Sequence, residues 1–327
     1  MINNNCSSRI LLYVLTFGGG FLALTTHAEA DIIGPGDLIV SDYAAGVLIR
    51  VDPVTGSQNV IASGGNLVNP QGFAIEDSGT VVVAERSSQS LIRVDLQTGA
   101  QSVISSGGSF ISILDVALED NGQILVSDAG ANAVFRVDPV SGAQSTVTSG
   151  DRLSVLLRGL AVEANGNILA LNNSVIRIDP ATGNQSLLSS GPIYLASANI
   201  AVEASGNILV ADRSAFGTLG GIIRVDPSSG AQSTVSSGDN FRDPFGLAIE
   251  ANGNILVSDF TTDSIYRVDP STGVQTLLSS GGFFDDPIEI EIATITVAAI
   301  PEPSSLAACC LLSALITGRR RKRLDTR

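Results

Sequence analysis

The side chains that could do chemistry between residues 31 and 300 carry mainly oxygen. This segment holds no His, Cys or Lys, because His27 and Cys6 precede it and Cys309, Cys310 and Lys322 follow it. Imidazole bases, thiolate nucleophiles, Schiff-base lysines and His/Cys zinc sites are therefore excluded there. The remaining Asp, Glu, Asn, Ser and Tyr suit Ca²⁺ coordination or acid/base work by carboxylates.

Polar side chains, five of them acidic, recur at the end of an apolar run in six successive repeats. These strand-end residues are Asp42, Glu85, Asp128, Asn172, Asp212 and Asp259. Their recurrence favours a structural role in capping the following loop. Asn/Asp-Pro turns, in contrast, break the repeat, and they contain Asn69, Asp243, Asp285 and Asp286. Mutual repulsion in this acidic arc predicts a weak Ca²⁺ site, with Asp42, Asn69, Asp243, Asp259, Asp285 and Asp286 as candidate ligands.

Aromatic residues are expected on the same loop face, meaning the face that carries these turns and strand ends. They are Tyr43, Phe110, Tyr194, Phe216, Phe241, Phe260, Phe283 and Phe284. Exposed aromatics beside carboxylates suit a partner-binding surface, for which we select Tyr43, Phe241, Phe260, Phe283 and Phe284. The alternative is that they plug a channel mouth or pack under their own loops.

Charge limits the possible partners. Residues 31–300 contain 29 Asp and Glu against 11 Arg. A segment this acidic repels polyphosphate, so nucleic acid is excluded as a partner.

A repeat that runs through most of the chain must position these side chains. Its marker is the Arg of an Arg-Val-Asp-Pro-like motif, at positions 50, 93, 136, 177, 224 and 267. We interpret these arginines as structural, pairing with carboxylates of neighbouring repeats. The last complete copy has four strand-like runs, at 246–250, 254–258, 265–269 and 274–279, and turn residues separate them.

Four antiparallel strands in each period of 41 to 47 residues, repeated six times, predict an all-β, six-bladed β-propeller. The second run is continuously apolar, as expected of a strand buried on both faces, and the fourth is polar enough for an outer edge. The first copy lacks its innermost strand, and residues 288–297 supply a spare one. We therefore expect the C-terminal strand to complete blade one and close the ring.

The Gly-Leu-Ala-x-Glu, Gly-Asn-Ile-Leu-Val-x-Asp and Arg-Val-Asp-Pro motifs resemble NHL-type and SMP-30-like six-bladed propellers over residues 36–297. The chain contains no Trp, which argues against a WD40 propeller, and the lack of His in residues 31–300 argues against the virginiamycin-lyase type. The SMP-30 resemblance implies a Ca²⁺-dependent lactonase or related hydrolase. That family's Glu-Gly-Pro motif is absent, however, and Pro70-Gln71-Gly72 is the nearest match, so its metal-binding Glu has no counterpart.

Two functional classes remain from the sequence. The favoured one is a non-catalytic interaction module that uses the loop face to hold a protein, a glycan or Ca²⁺. The alternative is the Ca²⁺-dependent lactonase or hydrolase.

The two ends of the chain are typical of export signals. Arg9, an apolar run and Ala28-Glu29-Ala30 predict a secretory signal peptide over residues 1–30. Residues 298–327 contain Pro301-Glu302-Pro303, an apolar stretch at 306–317 and a basic cluster at 319–323. This tail resembles the PEP-CTERM sorting signal of Gram-negative bacteria, which implies cleavage by an exosortase and release to the envelope, cell surface or polymer matrix. The propeller domain is expected at 31–297.

Intact-mass measurement on material from the native host tests export. We expect a species that has lost both the N-terminal 30 residues and the part of the tail beyond Pro301-Glu302-Pro303. A full-length species confined to the cytoplasm would contradict the prediction.

Overall fold

Twenty-four short strands form six four-stranded antiparallel sheets, arranged as the blades of a β-propeller. The computed structural model describes residues 33–153, 157–191, 197–213 and 219–294. The predicted fold is confirmed. The predicted signal peptide and the sorting residues Pro301, Glu302 and Pro303 lie outside the described residues.

Blades one to three hold the first eleven strands, and β8–β11 form blade three. The strands are β1 (Leu38–Asp42), β2 (Val47–Val51), β3 (Gln58–Ser63), β4 (Pro70–Ile75), β5 (Thr80–Glu85), β6 (Ser90–Asp95), β7 (Gln101–Ser106), β8 (Ile113–Leu118), β9 (Ile124–Asp128), β10 (Ala133–Val137) and β11 (Gln144–Ser149). A 3₁₀ turn at Asp151–Leu153 leads to blade four.

Blades four to six follow the same order, and the last strand returns to blade one. The strands are β12 (Leu160–Val162), β13 (Ile168–Leu171), β14 (Ser174–Ile178), β15 (Gln185–Ser190), β16 (Ser197–Val202), β17 (Ile208–Asp212), β18 (Gly221–Val225), β19 (Gln232–Ser237), β20 (Pro244–Ile249), β21 (Ile255–Asp259), β22 (Ser264–Val268), β23 (Gln275–Ser280) and β24 (Pro287–Ile292). Within the described ranges, no helix is long and apolar enough to cross a membrane.

The hydrophobic core lies between the blades rather than within them. Six buried clusters each combine residues of two adjacent blades; Ile39 of blade one, for example, packs in one cluster with Phe73 and Val81 of blade two. The second strand of each blade is buried along almost its whole length, while the outer strands β3 and β23 each expose three of their six residues. Both burial patterns match the sequence prediction.

The recurring arginines are structural, but their carboxylate partners lie in their own blades. Arg93 of β6 forms a bidentate pair with Glu76 of the same blade, at 2.7 and 2.8 Å. It also donates to the carbonyl of Pro139 in the next blade at 3.3 Å. Arg136, Arg177 and Arg267 repeat this arrangement. The predicted pairing with carboxylates of neighbouring blades is therefore wrong, because the contact to the neighbour is made to a backbone carbonyl.

The Asp-Pro-x-Ser/Thr-Gly turns also join blades. Asp52 Oδ1 accepts the backbone N–H groups of Val54 and Thr55 at 2.9 and 2.7 Å. Gly56 then adopts a φ of +71°, and a Cβ there would overlap the carbonyl oxygen of Leu278 in blade six. Glycine is required at this turn for both its conformation and its close approach.

The ring closes as predicted. Strand β24 pairs antiparallel with β1 to give the order β24-β1-β2-β3 in blade one. In blades two to six the Arg partner is a Glu just after the innermost strand, whereas blade one has Ala293 at that position. Arg50 pairs instead with Asp37, at 2.8 and 3.0 Å, and the Asp37 carbonyl accepts the N–H of Ala293.

Removal of β24 tests the closure. A chain that ends at residue 286 leaves the β1 edge and the apolar residues of blades one and six unpaired, so we expect aggregation on size-exclusion chromatography. A chain that ends at residue 294 is the matched control and is expected to stay monodisperse. Equal behaviour of the two truncations would contradict this role for β24.

Candidate functional site

Six equivalent positions in the innermost strands form one level of the central channel. In ring order from blade two to blade one they are Gly72, Asp115, Gly159, Asn199, Gly246 and Glu289. Glycine thus alternates with a polar residue around the whole ring. This alternation breaks the sixfold repeat at the channel.

Steric room explains the alternation. A Cβ on Gly72 would overlap Asp115 Oδ1, and one on Gly159 would lie 3.2 Å from the Cα of Asn199. A Cβ on Gly246 would overlap the carbonyl oxygen of Ile288, next to Glu289. Each glycine therefore lets the innermost strand of the following blade approach closely at the level of its polar residue.

Local irregularities in the innermost strands direct these side chains. Between the innermost and second strands of five blades, the pairing register shifts at this level; in blade three the shift lies between Ile113 and Asp115. Such bulges re-aim side chains. Buried serines fix the backbone around the shift: Ser41 Oγ donates to the Gln71 carbonyl at 2.7 Å, and Ser127 Oγ donates to the Arg158 carbonyl at 2.6 Å.

The channel carboxyl groups are buried and favour their neutral forms. Asp115 accepts the backbone N–H groups of Leu160 and Val116 at 2.7 and 2.8 Å, yet burial raises its pKa to about 7. Asn199 Nδ2 donates to Glu289 Oε2 at 2.5 Å. Burial, with the nearby charges of Asp115 and Glu291, raises the pKa of Glu289 well above its usual value.

Glu291 lies one level further along the channel, where the other five blades have Ala. It accepts the backbone N–H of Ile75 at 2.9 Å, and it lines a cavity of about 330 Å³ with Asp115 and Glu289. Burial, followed by the charge of Asp115, raises its pKa to about 8. The channel therefore holds three buried carboxyl groups. Burial makes the ionised form of each one cost free energy, so the neutral form is favoured.

The channel mouth on the loop face consists of Gln71, Arg158, Arg213, Phe245 and Phe260. A small pocket of about 10 Å³ is lined by Gln71, Arg158 and Phe245 above Asp115, Asn199 and Glu289. Gln71 is 5% exposed, and its Nε2 has no hydrogen-bond partner among the described residues. A buried donor without an acceptor is uncommon in native proteins.

Two arginines cover the aromatic rings of the mouth. The Arg158 guanidinium lies 5.7 Å from the ring centre of Phe245, and that of Arg213 lies 5.4 Å from Phe245 and 5.7 Å from Phe260. Arg213 also pairs with Asp243. Burial lowers the pKa of Arg158, and the positive charges of Arg213 and Arg86 lower it further.

Strand-end residues cap loops, as the structural interpretation predicted. Asp42 accepts the N–H groups of Ala45 and Asp285 at 2.9 and 2.8 Å. Asp259 accepts those of Arg242 and Asp243, at 2.8 and 2.9 Å, as well as that of Thr262. Each thus fixes both the following loop and the loop that leads into its own blade's innermost strand.

Two of the other candidate metal ligands, Asn69 and Asp243, also have side-chain partners within the protein. Asn69 donates to the Tyr43 carbonyl at 3.2 Å and accepts from Ser87 Oγ, and Asp243 pairs with Arg213. Burial raises the pKa of Asp286, and the charges of Asp285, Asp263 and Asp243 add to the effect. The described part of the chain contains no group of three or more His, Cys, Asp or Glu placed to hold a metal ion. Calcium binding by the acidic arc stays a prediction.

The candidate aromatics divide between core and mouth. Phe241 and Phe284 are 0% and 6% exposed and belong to inter-blade clusters, which corrects their assignment to an exposed surface. Phe110 is likewise buried. Tyr43 and Phe260 pack beside Phe245 at the mouth. Phe283 is 50% exposed and lines an outer groove with Leu277 and Thr55, whereas Tyr194 and Phe216 lie outside the described residues.

Sequence reasoning missed the channel residues Asp115, Asn199, Glu289 and Glu291, and the mouth residues Gln71 and Arg158. One signal was present: when the six repeats are aligned, a polar residue replaces Gly or Ala within an otherwise apolar innermost strand. Gln71 and Arg158 occupy one equivalent position, where the other blades have Leu114, Ala198, Phe245 and Ile288.

Comparison with solved structures agrees with the fold. One chain of a nidogen/laminin complex superposes with a TM-score of 0.68 at 14% identity, covering 79% of this chain and 99% of that chain. Virginiamycin B lyase from Staphylococcus aureus gives 0.54 at 15% identity, covering 67% and 73%. A catalytically inactive His-to-Ala variant of that lyase with quinupristin gives 0.56 at 12% identity, covering 74% and 84%. No protein-family model and no curated protein matches the chain.

The pH dependence of unfolding tests the buried carboxyl groups. The folded protein holds the Glu291 proton more tightly than the unfolded chain, where the pKa is near 4.5. The protonated Glu291 therefore makes its full contribution to the free energy of unfolding below that pH, and the contribution is lost as pH rises through about 8. We expect Glu291→Gln to match the wild type at about pH 4 and to be more stable by several kcal/mol, on the order of 4, at about pH 9, measured by urea unfolding.

The matched control is Asp77→Asn, which changes an exposed carboxylate at the start of the β4–β5 turn. We expect it to leave the pH profile unchanged. A Glu291→Gln effect of the same size at both pH values would contradict a buried, neutral Glu291.

Proposed function

We propose that this protein is a non-catalytic binding module that holds its ligand at the channel mouth. The observation that carries the proposal is Arg158, a half-buried guanidinium that faces the mouth without an ion-pair partner among the described residues. The whole chain has a formal charge of −14. The fold of such an acidic protein does not require positive charge to be concentrated at one point, so the charge at the mouth indicates a role in binding.

The arrangement of the mouth supports binding. Arg86, Arg158 and Arg213 lie close enough for their charges to repel, and Asp243 offsets part of that repulsion. Phe245 and Phe260, with ring centres 6.0 Å apart, hold the guanidinium groups from below. Side chains held by packing before a ligand arrives lose little conformational entropy on binding.

The lack of His in residues 31–300 supports a binding module over the lyase reaction found among the structural neighbours. They include a chain of a nidogen/laminin complex, which is a protein–protein assembly, and a lyase whose His-to-Ala variant is inactive. Residues 31–300 of this chain contain no His. A lyase step that needs an imidazole base therefore has no equivalent group here.

One observation favours the hydrolase alternative. Asp115, Asn199 and Glu289 offer hard oxygen ligands at one level of the channel, and the raised pKa values of the two carboxyl groups suit acid/base chemistry. The Ca²⁺-dependent lactonase implied by the SMP-30 resemblance would use this ring.

We also propose that the protein acts outside the cytoplasm. It rests on the predicted signal peptide and on the Pro301-Glu302-Pro303 tail, through which an exosortase-type enzyme would process the chain at the inner membrane. Binding of Ca²⁺ by the acidic arc would modulate the loop face.

Saturation-transfer NMR with a library of small acidic, neutral and basic aromatic compounds tests the binding site. We expect some compounds to bind the full chain and to bind about tenfold more weakly to Phe260→Ala, because the mouth loses its apolar floor. Phe283→Ala, which removes an exposed ring away from the channel, is the matched control and should bind normally.

Mass spectrometry of the same samples tests for catalysis. Simple lactones are added to them, and each sample is measured with and without Ca²⁺. We expect every compound to keep its mass. Turnover that disappears in Asp115→Asn would establish the hydrolase alternative, and binding that depends on Phe283 rather than Phe260 would place the ligand elsewhere.

A further inference from the structure

Building on the proposed binding function, we infer that the group anchored at the channel mouth is the carboxylate of an organic acid, held by Gln71 and Arg158. The inference adds a ligand class that neither the fold nor the repeat specifies. Four independent observations lead to it.

The first observation is the distribution of arginines. The described residues include eleven arginines, and seven half-buried ones pair with a carboxylate of the protein. Arg86, Arg152 and Arg242 are exposed. Arg158 alone among the described arginines is half-buried without a carboxylate partner. Because a guanidinium prefers a bidentate carboxylate when it leaves water, its missing partner is expected to come from a ligand.

The second observation is the unpartnered Gln71 Nε2, which belongs to the same pocket as Arg158. A buried amide N–H without an acceptor destabilises the free protein. Gln71 and Arg158 occupy equivalent positions of blades two and four, so they reach the pocket from two different sides. The Arg158 guanidinium can only donate, and the unpartnered Gln71 Nε2 is also a donor, so both groups need an acceptor.

The third observation is the size of the pocket. A volume of about 10 Å³ admits roughly one water-sized group. A flat carboxylate can place one oxygen there, whereas a tetrahedral phosphate carries bulk on every side. The body of the ligand then lies outside the pocket, against the partly buried Tyr43 and Phe260.

The fourth observation concerns the carboxyl groups below the pocket. Asp115 and Glu289 line it, and they would repel an anion if both were ionised. The raised pKa values of Asp115 and Glu289 keep these groups protonated at mildly acidic pH. The same holds for Glu291, one level further along the channel. Arg86, Arg213 and Asp243 are the other charged groups near Arg158. Binding should therefore strengthen as pH falls from about 8.5 to about 6.

Calorimetry with phenylacetate and phenylacetamide tests the inference on the full chain. The two probes have nearly the same shape, but only phenylacetate carries a charge. At about pH 6 and roughly millimolar probe, we expect phenylacetate to bind about tenfold or more tightly than phenylacetamide. Inorganic phosphate serves as the tetrahedral anion and should compete poorly.

Two variants test the residues. Arg158→Gln and Gln71→Met should each weaken phenylacetate binding by about tenfold, with little effect on phenylacetamide. Gln71→Met should melt no lower than the wild type, because it removes an unpartnered buried donor. A purely structural Gln71 would instead give a lower melting temperature. Arg152→Gln, which removes an exposed guanidinium, is the matched control and should bind phenylacetate normally.

The outcomes separate this inference from the proposed function. Equal affinity for the two probes, with binding still dependent on Phe260, would overturn the carboxylate inference and leave the binding module intact. Phosphate binding as tight as phenylacetate binding, or normal binding by both variants, would also overturn it. If no compound of either experiment binds at the mouth, both proposals fail.

Discussion

Each blade can bury its two faces only against its neighbours, and the rest of the structure depends on this constraint. All six inter-blade clusters combine residues of two sheets, so no blade has a complete core of its own. The arginine of the third strand strengthens the same contact, because it fixes a carboxylate in its own blade and a carbonyl in the next. Ring closure by β24 gives the first and last blades the same contacts as the others.

The regular features of the repeat and its exceptions have different roles. Strand-end acids, Asp-Pro turns and Arg pairs recur in most blades, and all of them hold loops or blades together. The exceptions lie at the channel: polar residues alternate with glycine, Glu291 replaces an alanine, and Arg158 has no carboxylate partner among the described residues. A scaffold with six equivalent blades can acquire a specific site only where its blades differ.

Electrostatics divides the channel into two parts. Its interior holds Asp115, Glu289 and Glu291, whose burial favours the neutral carboxyl form. Its mouth holds Arg158 and Arg213 over Phe245. The neutral form of the carboxyl groups adds no negative charge below the arginines of the mouth.

The sequence by itself determined the number of blades, the order of strands and the closure of the ring, because these follow from local periodicity and turn chemistry that repeat six times. It also determined that Asp42 and Asp259 cap loops. Only the tertiary structure decided which residues form the site. Asp115 and Glu289 are 174 positions apart in the chain and meet only because the ring brings every innermost strand to one axis. The burial of Phe241 and the pairing of Asp243 with Arg213 depend on neighbours that local sequence does not specify. The same holds for Arg158, which has no carboxylate partner among the described residues.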